Sequence, residues 1–303
     1  MQFYLNNSST KYLGCTLRYK RIVVDGCKLP RKSKPELLGG SLFHAMMAEV
    51  DDRHDFNYFT VVKKPVHWDE VNGNLAVRYA MLADKIYTEH PEWFKDCRRE
   101  QVCEFPVTTI EVTNNKGEKI GVAVHYNFTP DLMYYDAEDD CVVIRDYKTT
   151  GKPINGDLFT KYALESQPFF YQLGLIWASI IEGNPLNLPA HWIKAIQNER
   201  VKFGYVFINA TVGESGQVVV QPLRFVDTNV LKRYRQDLSE KMQLAATLHI
   251  KPELASKEGI FTDACTYCEF RNVCAMNDPD REDMAMKHWP LGFKTYDPRI
   301  KEL

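Results

Sequence analysis

The sequence predicts an α/β protein, a small mixed sheet flanked by helices. Three observations carry that expectation. Residues 41–52 show apolar positions at helical spacing, and a second helix is expected at 70–87. Residues 103–147 change to short strand-like runs divided by turn residues. A helix, a hairpin and a long helix then precede a loop-rich end. The chain has 303 residues, 45% of them hydrophobic, which is enough for one large domain or a domain with a small satellite.

In order along the chain, a helix is expected from Ser41 to Asp52, because Phe43, Met46, Met47 and Val50 repeat at i, i+3, i+4 and i+7 as an apolar stripe. A second is expected from Glu70 to Tyr87. Strands are expected at Cys103–Thr113, Ile120–Phe128, Asp131–Tyr135 and Cys141–Tyr147, punctuated by turn sequences at 114–118 and 137–140. Ser166–Ile181 reads as a helix that tolerates Pro168 in its first turn. Residues 203–211 and 217–225 read as a hairpin, and Thr228–Leu248 as a further helix. The long apolar run 173–181 is a buried helix rather than a bilayer span, which needs about 20 apolar residues.

The net charge of −2 implies no partner by itself. Between Arg18 and Lys34, however, seven basic residues face one acid, Asp25. That run is either a solvated loop or an edge that contacts phosphates. The N-terminal residues lack a charged leader followed by an apolar stretch, so a cytoplasmic location is expected. With no secretion signal, the eight cysteines are expected to be thiols and metal ligands rather than disulfides.

Residues 129–151, TPDLMYYDAEDDCVVIRDYKTTG, carry the most chemistry. Strand residues two apart share a face, so Asp146 and Lys148 project together. A four-residue turn at 136–139 pairs Asp131 with Ile144 and brings Asp131 to the same face. A five-residue turn sends it to the other. Two carboxylates and a lysine on one surface suit Mg²⁺ or Mn²⁺. Such an ion acidifies water and polarises a phosphate, while the ammonium orients the water or offsets charge. A plain surface ion pair at a strand end is the simpler alternative.

Pro130-Asp131 followed by Asp146-Tyr147-Lys148 resembles the signature of the PD-(D/E)XK nuclease superfamily. Four further segments resemble its RecB-type exonuclease branch. Gly40 and His44 look like the Gly-x-x-x-His helix. Thr149 and Gly151 continue the lysine strand. Gln167 and Tyr171, i and i+4 on a helix, match Gln-x-x-x-Tyr. The fourth segment, residues 8–21 (SSTKYLGCTLRYKR), resembles the opening of the iron–sulfur members (AddB-type and CRISPR-associated RecB-like exonucleases), with Thr16 where proline is usual.

The resemblance implies a restriction-endonuclease-like core at about 36–250, in a single nuclease domain. A helical insertion at 45–100 would interrupt it, and cluster-binding segments would lie at 8–30 and 250–276. It implies that Asp131, Asp146, the Tyr147 carbonyl and His44 hold Mg²⁺ or Mn²⁺, that Lys148 activates water, and that Gln167 and Tyr171 steady Lys148 and the DNA. Cys265, Cys268 and Cys274 stand as Cys-x2-Cys-x5-Cys and need a fourth ligand. The resemblance supplies Cys15 and a [4Fe–4S] cluster; zinc, no metal at all, or Cys27 in place of Cys15 remains open. Cys97, Cys103 and Cys141 are expected to be plain thiols. Glu104 is a weak candidate carboxylate, and Tyr19 and Trp68 are candidate base-stacking aromatics. The implied partner is DNA with a free single-stranded end. Two other readings stand beside it: an idle DNA-binding subunit of a larger complex, and a redox-sensing iron–sulfur protein.

Overall fold

A computed structural model describes residues 1–26, 35–49, 71, 73–163, 165–255 and 270. By its contacts the chain divides into two compact units. One comprises Met1–Lys32, Pro106–Tyr126 and Arg235–Leu303; the other comprises Ser33–Phe105 and Asn127–Tyr234.

The first unit opens with strand β1 (Gln2–Leu5) and helices α1 (Asn7–Tyr12) and α2 (Thr16–Tyr19). Asn6 starts α1 through a capping box: its Oδ1 accepts from Ser9 N at 2.7 Å, and Ser9 Oγ accepts from Asn6 N at 2.9 Å. A π-helical turn, Lys20–Val24, follows. β1 pairs in parallel with β4 (Lys119–Phe128), and β3 (Cys103–Thr113) lies on the other side of β4. These strands form their own three-stranded sheet, whereas the sequence reading placed β3 and β4 in one sheet with the site strands. The described part of the basic run is internally engaged. Arg21 is buried with its guanidinium over Phe270, Arg18 covers Tyr12, and Lys20 pairs with Asp25 at 2.7 Å. Tyr19 is fully buried, with His249 edge-on at 6.1 Å, so it is not a base-stacking surface.

The second unit holds a six-stranded mixed sheet. Its order is β2 (Cys97–Arg99), β5 (Leu132–Asp136), β6 (Cys141–Thr149), β7 (Val201–Asn209) and β8 (Gln217–Val220), with β9 (Arg224–Phe225) also on β7. Only β6 and β7 are parallel, because α5 (Gly156–Ala163), α6 (Gln167–Ile180) and α7 (Ala190–Gln197) carry the chain between them. Alternation sorts the sheet's faces. Val143, Tyr147, Val206 and Ile208 join a core with Leu42, Phe43, Met46 and Met47 of α3 (Pro35–Glu49) and Tyr79, Ala80 and Ile86 of α4 (Gly73–Glu89). Phe203, Tyr205 and Phe207 face the other way, meeting Tyr171 of α6 at 6.5 Å and Tyr162 and Phe159 of α5 at 5.2 and 5.4 Å. α8 (Thr228–Ile250) is the last described α-helix, and a 3-10 turn at Pro252–Leu254 follows it.

The expected stripe Phe43, Met46, Met47 is buried; Val50 to Asp52 lie outside the described residues, as do Trp68, Cys27, Cys265, Cys268 and Cys274. α4 begins three residues after the expected Glu70, at Gly73. The turn before β6 spans 137–140 rather than 136–139. Asp136 stays paired with Cys141 while its carboxylate accepts from Glu138 N and Asp139 N at 3.1 and 3.2 Å, and Asp140 takes φ 47°. The turn moves by one residue and the pairing by two, Leu132 meeting Arg145 instead of Val143, so Asp131 keeps the face of Asp146.

Candidate active site

The site gathers at one end of β5 and β6, where buried strands deliver polar side chains. Asp131 directly precedes β5 and is 7% exposed; Asp146, within β6, is 1% exposed. Asp131 Oδ2 accepts the Tyr147 amide hydrogen at 2.6 Å, which pins the aspartate to the neighbouring strand. Its Oδ1 faces His44 Nδ1 of α3 at 3.3 Å. The same nitrogen lies 3.1 Å from Glu100 Oε1.

α3 approaches β6 closely enough for His44 to arrive because Gly40 has no side chain. A Cβ there would lie 2.7 Å from Thr149 Oγ1. Spacing carries His44 one helical turn beyond Gly40, toward Asp131.

On the other side stands Lys148, whose Nζ is 2.5 Å from Asp146 Oδ2. Gln167, at the start of α6, links the pair. Its Oε1 accepts from Lys148 Nζ at 3.0 Å, and its Nε2 donates to Asp146 Oδ1 at 2.7 Å and to Tyr171 Oη at 2.6 Å. Tyr171 Oη then donates to the Thr129 carbonyl at 3.1 Å. An ammonium only donates and a carboxylate only accepts, so the amide has one workable orientation.

The electrostatics follow from burial. Desolvation, reinforced by the charge of Asp131, pushes the Asp146 carboxyl well above the ordinary carboxylate range against the pull of Lys148. Burial opposes the Lys148 ammonium, but the charge and hydrogen bonding of Asp146 outweigh it and raise its pKa. Burial likewise opposes the His44 imidazolium. The hydrogen bonds and charges of Asp131 and Glu100 prevail and push its pKa up to about 10.

The donors fit a hard divalent cation: carboxylates of Asp131, Asp146 and Glu100, with one imidazole. Asp146 Oδ2 is buried against the Lys148 ammonium at 2.5 Å, so a bound cation would share this carboxylate with the lysine. Among the described residues, His44, Glu100 and Asp131 offer ligand atoms all within 4.8 Å of one another.

Thus the structure brings together Asp131, Asp146, Lys148, Gln167 and Tyr171, with His44 on Asp131. Glu104 is not among them; it is exposed and accepts from Asn127 Nδ2 at 3.1 Å. Glu100, which the sequence reading passed over, stands at the site instead. Cys15 is buried between α1 and α2. Cys103 and Cys141 are buried free thiols, and Cys97 is half-buried with its Sγ on the Phe94 carbonyl.

The profile of the PD-(D/E)XK nuclease superfamily matches residues 7–275. No curated protein matches the chain in sequence. Among solved structures, a candidate exonuclease from Eubacterium rectale aligns at 12% identity and TM-score 0.39, covering 80% of this chain and 81% of its own. The protein SSO0001 aligns at 13% identity and TM-score 0.24, covering 81% of this chain and 96% of its own. Both likenesses are too loose to support an argument. No described helix is long and apolar enough to cross a membrane.

Proposed function

The chain belongs to the PD-(D/E)XK nuclease superfamily, and we propose that it is a metal-dependent DNA exonuclease acting on single-stranded ends in recombinational repair or CRISPR-type DNA processing. The observation that carries the reading is the Asp146–Lys148–Gln167 linkage. A carboxylate 1% exposed is held against an ammonium by an amide whose every polar atom is engaged. An ordinary surface ion pair needs neither the burial nor the amide.

In this reading Asp131, Asp146, the Tyr147 carbonyl and His44 hold Mg²⁺ or Mn²⁺. Such an ion, when bound, acidifies water and neutralises phosphate charge. The chain's own groups do the positioning. Asp146 and Gln167 engage two sides of the Lys148 ammonium, leaving an N–H for the attacking water or a phosphate oxygen. Gln167 and Tyr171 hold that ammonium in line with Asp146, and Thr129 anchors Tyr171. Attack of water oxygen on phosphorus breaks the bond to the leaving sugar oxygen, and the water's protons pass to solvent and the leaving group. Cys15, with Cys265, Cys268 and Cys274, holds a [4Fe–4S] cluster; the burial of Cys15 supports that role.

The test is trimming of end-labelled single-stranded DNA by wild type and Lys148→Ala in Mn²⁺, Mg²⁺ and EDTA, with folding checked for both. Metal-dependent trimming absent from the variant is expected. A folded, cluster-loaded protein that trims nothing would reduce the reading to a DNA-binding subunit of a larger complex.

A further inference from the structure

We propose that Glu100 is a direct ligand of the divalent cation, so that the site holds a third carboxylate; the inference rests on the nuclease reading above. No strand or helix periodicity marks Glu100. It follows β2 in a bend, and its backbone is in the left-handed region at φ 45°, which a side chain rarely adopts. That conformation is held by Asp131 itself, whose carbonyl accepts from Glu100 N at 3.1 Å. The backbone of one candidate ligand therefore fixes the position of the other.

The side-chain geometry suits an ion. Bonds of about 2.1 Å in octahedral coordination place neighbouring ligand atoms about 3 Å apart. Glu100 Oε1 lies 3.1 Å from His44 Nδ1, and Asp131 Oδ1 lies 3.3 Å from the same nitrogen. Once His44 Nδ1 gives up its proton, these two oxygens and the nitrogen stand at ligand spacing about a cation. The site can also be reached: Glu100 and His44 line an open depression of about 470 Å³ with Gly40, Ser41, Ala45 and Ala48. In the other compact acidic group, Asp136, Asp139 and Cys141, the carboxylates are already engaged. Asp136 caps its own turn and Asp139 is paired with Lys202.

The experiment is calorimetric titration of Mn²⁺ into the metal-free protein, with cleavage and EDTA melting curves alongside. Glu100→Gln keeps an oxygen for His44 but removes the charge. Glu100→Gly suits φ 45° and removes the ligand. The expected result is Mn²⁺ binding at least about tenfold weaker in both variants, with Glu100→Gly melting in EDTA no lower than wild type. Unchanged Mn²⁺ affinity in both would overturn the proposal, and so would weakened affinity together with a lowered EDTA melting temperature of Glu100→Gly, which would make Glu100 a brace for His44. Wild type that binds no Mn²⁺ would overturn the nuclease reading as well. Wild type that binds and cleaves while the variants still bind would overturn only the role of Glu100.

Discussion

Replacing Gln167 by methionine tests the amide linkage most directly. Methionine is of similar length and favours a helix, but it offers no strong polar atom. Three hydrogen bonds go: to Asp146 Oδ1 (2.7 Å), to Tyr171 Oη (2.6 Å) and from Lys148 Nζ (3.0 Å). Hydrogen bonds to charged groups contribute about 1.5–3 kcal/mol and neutral ones about 1 kcal/mol. The losses are unequal. Lys148 is 21% exposed on its side chain and can turn to water, whereas Asp146 at 1% cannot. The stability loss is therefore dominated by Asp146 and amounts to about 2–3 kcal/mol. Tyr171→Phe removes only the neutral bonds to Gln167 and Thr129, and should lose about 1–2 kcal/mol.

In single-turnover cleavage with saturating Mn²⁺, Gln167→Met should lower the rate by about 10²-fold, the cost of a misplaced reacting group, with substrate affinity little changed. Urea denaturation and rapid-quench cleavage read the two effects separately. Tyr171→Phe costing more stability than Gln167→Met, or a Gln167→Met defect confined to substrate binding, would refute the linkage as a positioning device.

Other consequences follow from separate parts of the chain. Burial between Phe3 and Tyr19 holds the His249 imidazole below its ordinary value of 6.5. Its folded pKa is depressed, so its contribution is complete above 6.5 and fades as pH falls through the lowered folded value. The melting temperature of wild type should fall relative to that of His249→Phe as pH is lowered from 8 to 5. Gly204→Ala places a Cβ 2.6 Å from Arg145 Nη1 and 3.3 Å from the Gln221 carbonyl that accepts from it at 2.8 Å. It should cost about 1–3 kcal/mol in denaturant titrations. Gly40→Ala meets only the Thr149 hydroxyl, at 2.7 Å, which can rotate. Stability should change by under about 1 kcal/mol, while the shift of His44 lowers cleavage. Cys15→Ser should abolish the visible absorption and iron content of anaerobically purified protein; zinc in place of iron would refute the cluster.

What the sequence conveyed about the site depended on periodicity. Asp146 and Lys148 share a face because a strand alternates. Gln167 and Tyr171 meet because a helix brings i and i+4 together, and in the structure their side chains do touch at 2.6 Å. The turn at 137–140 lies one residue beyond 136–139, which moves the β5–β6 pairing by two residues and so leaves the faces unchanged. Gly40 was visible as a spacing partner of His44, but its reason was not: it is the nearness of Thr149, a hundred residues away in the chain. Glu100 was hidden because its position is set by a positive φ and by a hydrogen bond to Asp131, neither of which leaves a local pattern. The short helices α5 and α7 were missed too, since eight residues give barely two turns of periodicity. The split into two sheets escaped because strand order is a long-range property.

The charges of the site explain how such a cluster folds at all. Asp131, Asp146 and Glu100 bring three negative groups into a largely buried space, an arrangement that repels itself unless cations are near. Two are supplied by the chain: Lys148 against Asp146, and His44 against Asp131 and Glu100. The carboxylates are thus already compensated when no metal is bound, and the fold need not wait for an ion. The compensation is uneven, because Asp146 remains pushed toward protonation despite its lysine. In the proposed nuclease reading, a divalent cation held by these carboxylates would complete what the two side chains leave undone. The Lys148 ammonium, relieved as counter-ion, would then be a donor to the reacting water or phosphate. The same lysine would support folding in one state and chemistry in the other, with Gln167 bonded to both Lys148 and Asp146.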